Sequence, residues 1–269
     1  MWDLATIVPL LMAGGFAGII AGMFGVGGGT ILVPLVLWIL QVNHADNTPY
    51  SQHIAVGTSF AVMVFTSFSS AYSQHKAKAV DWQILRHMAP GVLFGVVVGS
   101  MIARFLSKEG LEIFFIIFIS VIAVRTLMNI KPTPSRQLPG GKGLFEAGAL
   151  FGVLSSWIGI GGGSLTVPFL TFCNVSVHRA IGTSAVLGWP IALAGALSYW
   201  YAGYDFAGLP PGVSGFIYWP VVIILAVATI IGAPIGVRIS HRLPVDKLKK
   251  SFGILLLLIA LRMVFKMFE

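Results

Sequence analysis

Apolar residues dominate long stretches of the chain, and acidic and basic residues are confined to the segments between them. The first stretch, from Leu4 to Ala45, contains no Asp, Glu, Lys or Arg. Five further charge-free stretches follow, at 47–75, 87–103, 147–178, 180–204 and 206–237. A helix crosses a hydrocarbon core with about 17–25 such residues. The pattern therefore predicts an all-α, polytopic membrane protein embedded in a lipid bilayer.

Glycine clusters interrupt two of these apolar stretches in the same way. Gly18–Leu35 reads GIIAGMFGVGGGTILVPL, and Gly152–Phe169 reads GVLSSWIGIGGGSLTVPF. Consecutive glycines and a proline disfavour a continuous helix. A second pair of similar sequences follows in the same order, HIAVGTS at 53–59 and HRAIGTS at 178–184. The duplication predicts two repeats, 1–137 and 138–269, joined by the Pro/Gly-rich linker 131–143.

Basic residues cluster in some of the connecting segments and are missing from others. Lys and Arg are frequent at 75–87, 131–142 and 238–250, whereas 42–52 and 202–217 contain none. The positive-inside rule assigns the basic segments to the cytoplasmic side. Because 75–87 and 202–217 occupy equivalent places in the two repeats, the repeats are predicted to be inverted.

Inversion requires an odd number of crossings per repeat. Each repeat, however, shows four apolar segments, because a last segment that contains Arg125 or Arg262 follows the charge-free stretches. The fold class that satisfies both is two inverted four-segment repeats, each with a glycine-broken, re-entrant helix. Broken backbone at membrane depth is tolerated where protein or a cavity surrounds it. Eight full crossings are the alternative.

The residues at the two breaks are the first candidate substrate-binding residues. Thr30 and Ser164 directly follow the glycines and open a new helical stretch. The first N–H groups of a helix lack intrahelical acceptors and carry the positive end of its dipole. Both breaks therefore suit a small anion bound by main-chain donors. The candidates are Gly27, Gly28, Gly29, Thr30, Gly161, Gly162, Gly163 and Ser164. The alternative is that the glycines only permit close helix packing.

The second repeated motif supplies the remaining candidate substrate-binding residues. These are His53, Thr58 and Ser59 in the first copy and His178, Thr183 and Ser184 in the second. Hydroxyls can donate to an anion, and a histidine can donate to it or carry a coupled proton. In the alternative, the hydroxyls bond carbonyls of their own helix, and the histidines are interfacial.

Composition narrows the function classes. The net charge of +8 is explained by the loop lysines and arginines that set topology, so no nucleic-acid partner is expected. No metal site or other cofactor is expected, and the single cysteine, Cys173, excludes an intramolecular disulfide. No nucleophile–base pair, HExxH motif or Walker lysine lies in the apolar segments, which argues against an enzyme.

With its two G-x-G-G-G-[TS]-x-x-V-P motifs, each followed by x-A-x-G-T-S, the chain resembles the TauE/SafE family of sulfite-exporter-like membrane proteins. The resemblance covers nearly the whole chain. It implies a multi-pass secondary transporter of the cell membrane that moves small sulfur-containing anions such as sulfite, sulfonates or sulfoacetate. The alternatives are a passive anion channel and a non-transporting membrane scaffold or sensor.

Overall fold

The computed structural model describes residues 4–25, 27–43, 48–128, 137–206, 208–240, 242 and 245–267. Within them the chain forms ten helices and one short hairpin. The helices are α1 (Leu4–Phe24), α2 (Gly29–Val42), α3 (Ser51–Lys76), α4 (Trp82–Ala103), α5 (Lys108–Leu127), α6 (Gly141–Ile158), α7 (Gly163–Phe172), α8 (Val177–Ala202), α9 (Trp219–Ser240) and α10 (Val245–Met267). Strands β1 (Val213–Ser214) and β2 (Ile217–Tyr218) pair antiparallel before α9.

Six of the described helices, α1, α3, α4, α5, α8 and α9, are long and apolar enough to cross a membrane. The helices α2 and α7 are much shorter, with 14 and 10 residues. At a rise of ~1.5 Å per residue they span only about 21 and 15 Å. The predicted all-α, polytopic membrane fold is therefore confirmed, and α2 and α7 are too short to cross alone.

Glycines hold two pairs of helices in close, parallel contact. In α1 and α9, a Cβ at Gly18 would lie 2.7 Å from the carbonyl oxygen of Thr229, and one at Gly22 would overlap Ala233. In α4 and α6, Gly95 packs against Ala149 in the same manner. Small residues of this kind let membrane helices approach to backbone contact. Each pair joins the first helix of one half of the chain to the fourth helix of the other half.

The central helices α3 and α8 pack against each other in opposite directions. Gly57, near the start of α3, meets Tyr199 near the end of α8, whereas Ser67, later in α3, lies beside Gly188 in the middle of α8. The outer helices α5 and α10 are also antiparallel. Gly253 of α10 contacts Leu127 at the end of α5, whereas Met263, later in α10, lines one cavity with Lys108 and Glu112 at the start of α5. In these two pairs, α3 with α8 and α5 with α10, the helices therefore run antiparallel.

Two details differ from the sequence predictions. The helix α6 begins at Gly141, so the last three residues of the predicted linker 131–143 are helical, and its residues 131–136 lie outside the described part of the chain. The connecting segment 202–217 contains a detail that the sequence analysis did not predict, because part of it forms the β1–β2 hairpin. Gly212 and Gly215 there adopt positive φ angles, which turn the chain tightly.

Candidate functional site

Both glycine clusters break the helical backbone, as their sequences predict. Gly25, Gly27 and Gly28 have φ angles of 65°, 76° and 85°, and Gly159 and Gly162 have φ angles of 73° and 76°. This left-handed region is accessible to glycine at little cost. After the first break, Gly28 lies against Ala17 and Ala21 of α1. The chain therefore reverses direction between α1 and α2.

The two breaks touch each other near the middle of the molecule. A Cβ at Gly27 would lie 3.2 Å from the Cα of Gly161, and one at Gly29 would overlap the carbonyl oxygen of Gly159. The same region borders Met63, which lies halfway along α3. The helices α2 and α7 thus begin side by side, next to the midpoint of the long helix α3.

A reciprocal pair of hydrogen bonds ties each break to the other half of the chain. The hydroxyl of Ser59 on α3 donates to the carbonyl oxygen of Gly159 at 2.8 Å. The hydroxyl of Ser184 on α8 donates to the carbonyl oxygen of Gly25 at 3.3 Å. Both serines are fully buried. They bind the carbonyls that the glycine turns leave without helical partners, so they border the breaks and hold them in place.

Hydrogen-bond donors remain unused where α2 and α7 begin. The N-cap residues, Gly28 and Gly162, have no side chain that could accept a hydrogen bond from the first N–H groups of α2 and α7. Within the described residues, the N–H groups of Gly28, Gly29, Gly162 and Gly163 have no backbone acceptor. The hydroxyls of Thr30, Ser155 and Ser164 are buried and also unpartnered. Unused buried donors are rare in proteins, and donors at two adjacent helix N-termini suit an anion.

Ser155 was missed by the sequence analysis, although the Ser-Ser pair before the second break is visible in the sequence. Its Oγ would lie 3.8 Å from a Cβ at Gly162, and Thr166 Oγ1 would lie 3.6 Å from the same point. Ser155 belongs to α6, so it reaches the break from the preceding helix. The hydroxyls around the second break are therefore more numerous than the motif itself suggests.

The hydroxyls of Thr58 and Thr183 form hydrogen bonds away from the two glycine breaks. The Thr58 Oγ1 accepts a hydrogen bond from the N–H of Tyr218 at 2.9 Å, and Thr183 Oγ1 accepts one from Asp81 N–H at 2.9 Å. Both hydroxyls thereby anchor the segments that lead into α9 and α4. Consecutive helical residues point about 100° apart, so a Thr and the Ser beside it contact different neighbours.

Replacing Thr183 with valine is expected to lower the free energy of unfolding by about 1–3 kcal/mol, because it leaves the Asp81 N–H unpartnered. Thr183→Ser keeps the acceptor and should stay near wild type. The matched control is Thr126→Val, since Thr126 Oγ1 only donates to Ile122 O of its own helix. Thermal unfolding in detergent compares the three. Equal losses for Thr183→Val and Thr126→Val would contradict the anchoring role.

The two histidines of the repeated motif lie in different surroundings. The ring of His53 is buried, and its Nε2 lies 2.9 Å from the carbonyl oxygen of Ala103. It is packed among the rings of Tyr50 and Phe216. Within the described residues, these contacts of His53 involve neither glycine break. His178 is exposed at the start of α8.

These features define a multi-pass helical membrane protein whose broken helices meet at its centre, an architecture typical of secondary transporters. The chain belongs to the Sulfite exporter TauE/SafE family, whose sequence profile matches residues 10–263. The resemblance noted in the sequence is thereby confirmed, and the family consists of membrane transporters.

Relatives in bacteria and archaea match almost end to end. A probable membrane transporter protein of Haemophilus influenzae is 31% identical over 97% of this chain and 98% of its own length. The probable membrane transporter protein YunE of Bacillus subtilis is 24% identical over 97% of this chain and 98% of its own. One from Methanocaldococcus jannaschii is 26% identical over 90% of both chains. No solved structure matches the chain.

Proposed function

We propose that the protein is a secondary transporter of small anions, with sulfite, organosulfonates and related sulfur oxyanions as its substrates. The observation that carries the proposal is the meeting of two helix N-termini, lined by unpartnered buried hydroxyls, halfway along α3. Each N-terminus carries roughly half a positive charge. A sulfur oxyanion offers several acceptor oxygens to these donors and needs no dedicated lysine.

The electrostatics of the surroundings favour an anion over a cation. The acidic residues of the described part of the chain lie in loops or in the first two turns of a helix, at Asp81, Glu109, Glu112, Glu146, Asp205 and Asp246. A cation at the breaks would face the positive ends of α2 and α7 with no carboxylate beside it. Charge interactions also act more strongly in a medium of low dielectric constant than in water.

The proposal includes inverted repeats. The pair α1–α2 enters and leaves the membrane on one side, and the pair α6–α7 enters and leaves it on the other side. The antiparallel packing of α3 with α8 supports it, as does the chain reversal at Gly28. The repeat boundary is proposed to lie at 137/138. Impermeant labelling of Lys78→Cys and Arg242→Cys is expected from one and the same side. Labelling from opposite sides would contradict the inversion.

Flux into proteoliposomes tests the function itself. A transporter gives saturable sulfite uptake that is accelerated by unlabelled sulfite on the other side. An anion channel formed by the same two helix breaks gives flux that neither saturates nor shows counterflow. A scaffold or sensor gives no flux. Saturable counterflow is the expected result, and flux of Na⁺ without any anion flux would reject the proposal.

A further inference from the structure

Buried polar side chains are distributed unequally between the two central helices. Within the described residues, five residues of α3 carry buried polar atoms with no hydrogen-bond partner: Ser51, Gln52, His53, Ser70 and Gln74. The equivalent helix α8 carries none. At the positions that correspond to Gln52, Ser70 and Gln74, α8 has Val177, Gly195 and Tyr199. The asymmetry needs a cause, because unpartnered polar groups are costly inside a membrane protein.

Three of these side chains share one face of α3. Gln52 and Ser70 are eighteen residues apart, which is about five turns at ~3.6 residues per turn. Gln74 follows Ser70 by one turn, and Ser59 lies two turns after Gln52. The face carries polar atoms at both ends of the helix, and the two glycine breaks adjoin its middle at Met63.

The half of this face beyond Met63 leads from the breaks to a basic surface. Ser67 borders the second break, because a Cβ at Gly188 would lie 3.5 Å from Ser67 Cβ and 3.4 Å from Gly161 O. Ser70 and Gln74 then follow, each with an unpartnered oxygen. The helix ends at the exposed residues His75 and Lys76. The end of α8 has no lysine or arginine.

We infer that this face of α3, from Gln52 past the glycine breaks to Gln74, lines the path along which the anion crosses the membrane. The inference rests on the proposed function. The unpartnered Gln52 Nε2 and the hydroxyl of Ser70 can donate to a passing anion, and the unpartnered Gln74 Oε1 can accept from the water that accompanies it. These roles explain why the polar groups are kept where burial makes them unfavourable. The basic residues at the far end attract anions to that opening.

Thiol accessibility tests the path without measuring transport. Ser70→Cys and Gln74→Cys are made in a Cys173→Ala background and treated with the anionic reagent 2-sulfonatoethyl methanethiosulfonate. Phe68→Cys is the control, because Phe68 is 60% exposed on the opposite face of α3, where it faces lipid. The reagent needs water and a thiolate. The buried positions 70 and 74 should therefore be labelled, and the exposed position 68 should not.

The charge and identity of the ligand are tested on the same variants. The cationic trimethylammonium analogue of the reagent should label the Ser70→Cys variant more slowly than the anionic one, and methanesulfonate should slow anionic labelling. If methanesulfonate does not slow the labelling, the result would still support the path along α3 but would count against sulfonates as substrates. Labelling at position 68 with none at 70 and 74, or faster labelling by the cation, would overturn the inference.

Discussion

Thr30→Asp is expected to abolish most anion transport, whereas Thr30→Asn should retain much of it. Thr30 is buried in the first turn of α2, and its hydroxyl is unpartnered. An aspartate there places a fixed negative charge beside the bound anion. Two like charges about 5 Å apart at an effective dielectric constant of ~20 repel by roughly 3 kcal/mol, which weakens binding about a hundredfold.

The same pair of variants at the second break provides an independent check. Ser164→Asp should abolish most anion transport and Ser164→Asn should retain much of it, because Ser164 lies at the start of α7 as Thr30 lies at the start of α2. The aspartate variants should remain folded, since a negative charge near a helix N-terminus is stabilising. Sulfite flux and size-exclusion profiles are the measurements. Equal flux for aspartate and asparagine at both positions would mean that no anion binds there.

Gly29→Ala is expected to eliminate transport, because the breaks must move apart to admit a single methyl group. A Cβ at Gly29 would overlap the Gly159 carbonyl oxygen and lie 3.0 Å from the Cα of Ile160. Both neighbours are backbone, so rotation of a side chain cannot relieve the overlap. The donors at the two N-termini would then no longer face a common site. Proteoliposome flux at matched protein levels measures the loss.

Gly15→Ala is the matched control, since a Cβ at Gly15 of α1 would have no neighbour within 4 Å. It should transport like the wild type. Gly28→Ala is the milder companion variant. Its Cβ would lie 3.3 Å from both Ala17 O and Ala21 Cβ, and the alanine would have to adopt the φ angle of 85° that Gly28 has. It should keep its fold and lose part of its transport. Wild-type flux from Gly29→Ala would show that contact between the breaks is unimportant.

The position of each break could be predicted because its cause is local. The glycine clusters and the hydroxyl residue that follows them predict a break in the helix, and α2 and α7 begin at the last glycine of each cluster. The preceding helices end slightly earlier, directly before Gly25 and Gly159, which have positive φ angles. Charge-free stretches likewise predicted α1, α3, α4, α8 and α9, whereas α5, which carries three charged residues in its first two turns, lies outside them. Such features depend on residues close together in the chain.

The composition of the site was less predictable, because it depends on contacts between distant segments. The bonds from Ser59 to Gly159 and from Ser184 to Gly25 join residues that are 100 and 159 positions apart. The two histidines share a motif, yet only His53 is buried, because Phe216 and Ala103, both distant in the sequence, pack against it. Thr58 and Ser59 are consecutive residues of a helix, so helix geometry alone makes them contact different partners. This difference could therefore have been predicted from the sequence.

The location of a bound anion is the most direct test of the proposal that paired helix breaks form the substrate site. Crystals grown with 2-bromoethanesulfonate, whose bromine scatters anomalously, would reveal the ligand without relying on flux. The expected result is one anomalous peak beside the N-termini of α2 and α7, next to Thr30 and Ser164, that is absent in Thr30→Asp crystals. A peak only at other positions in the wild-type protein would contradict the proposed site.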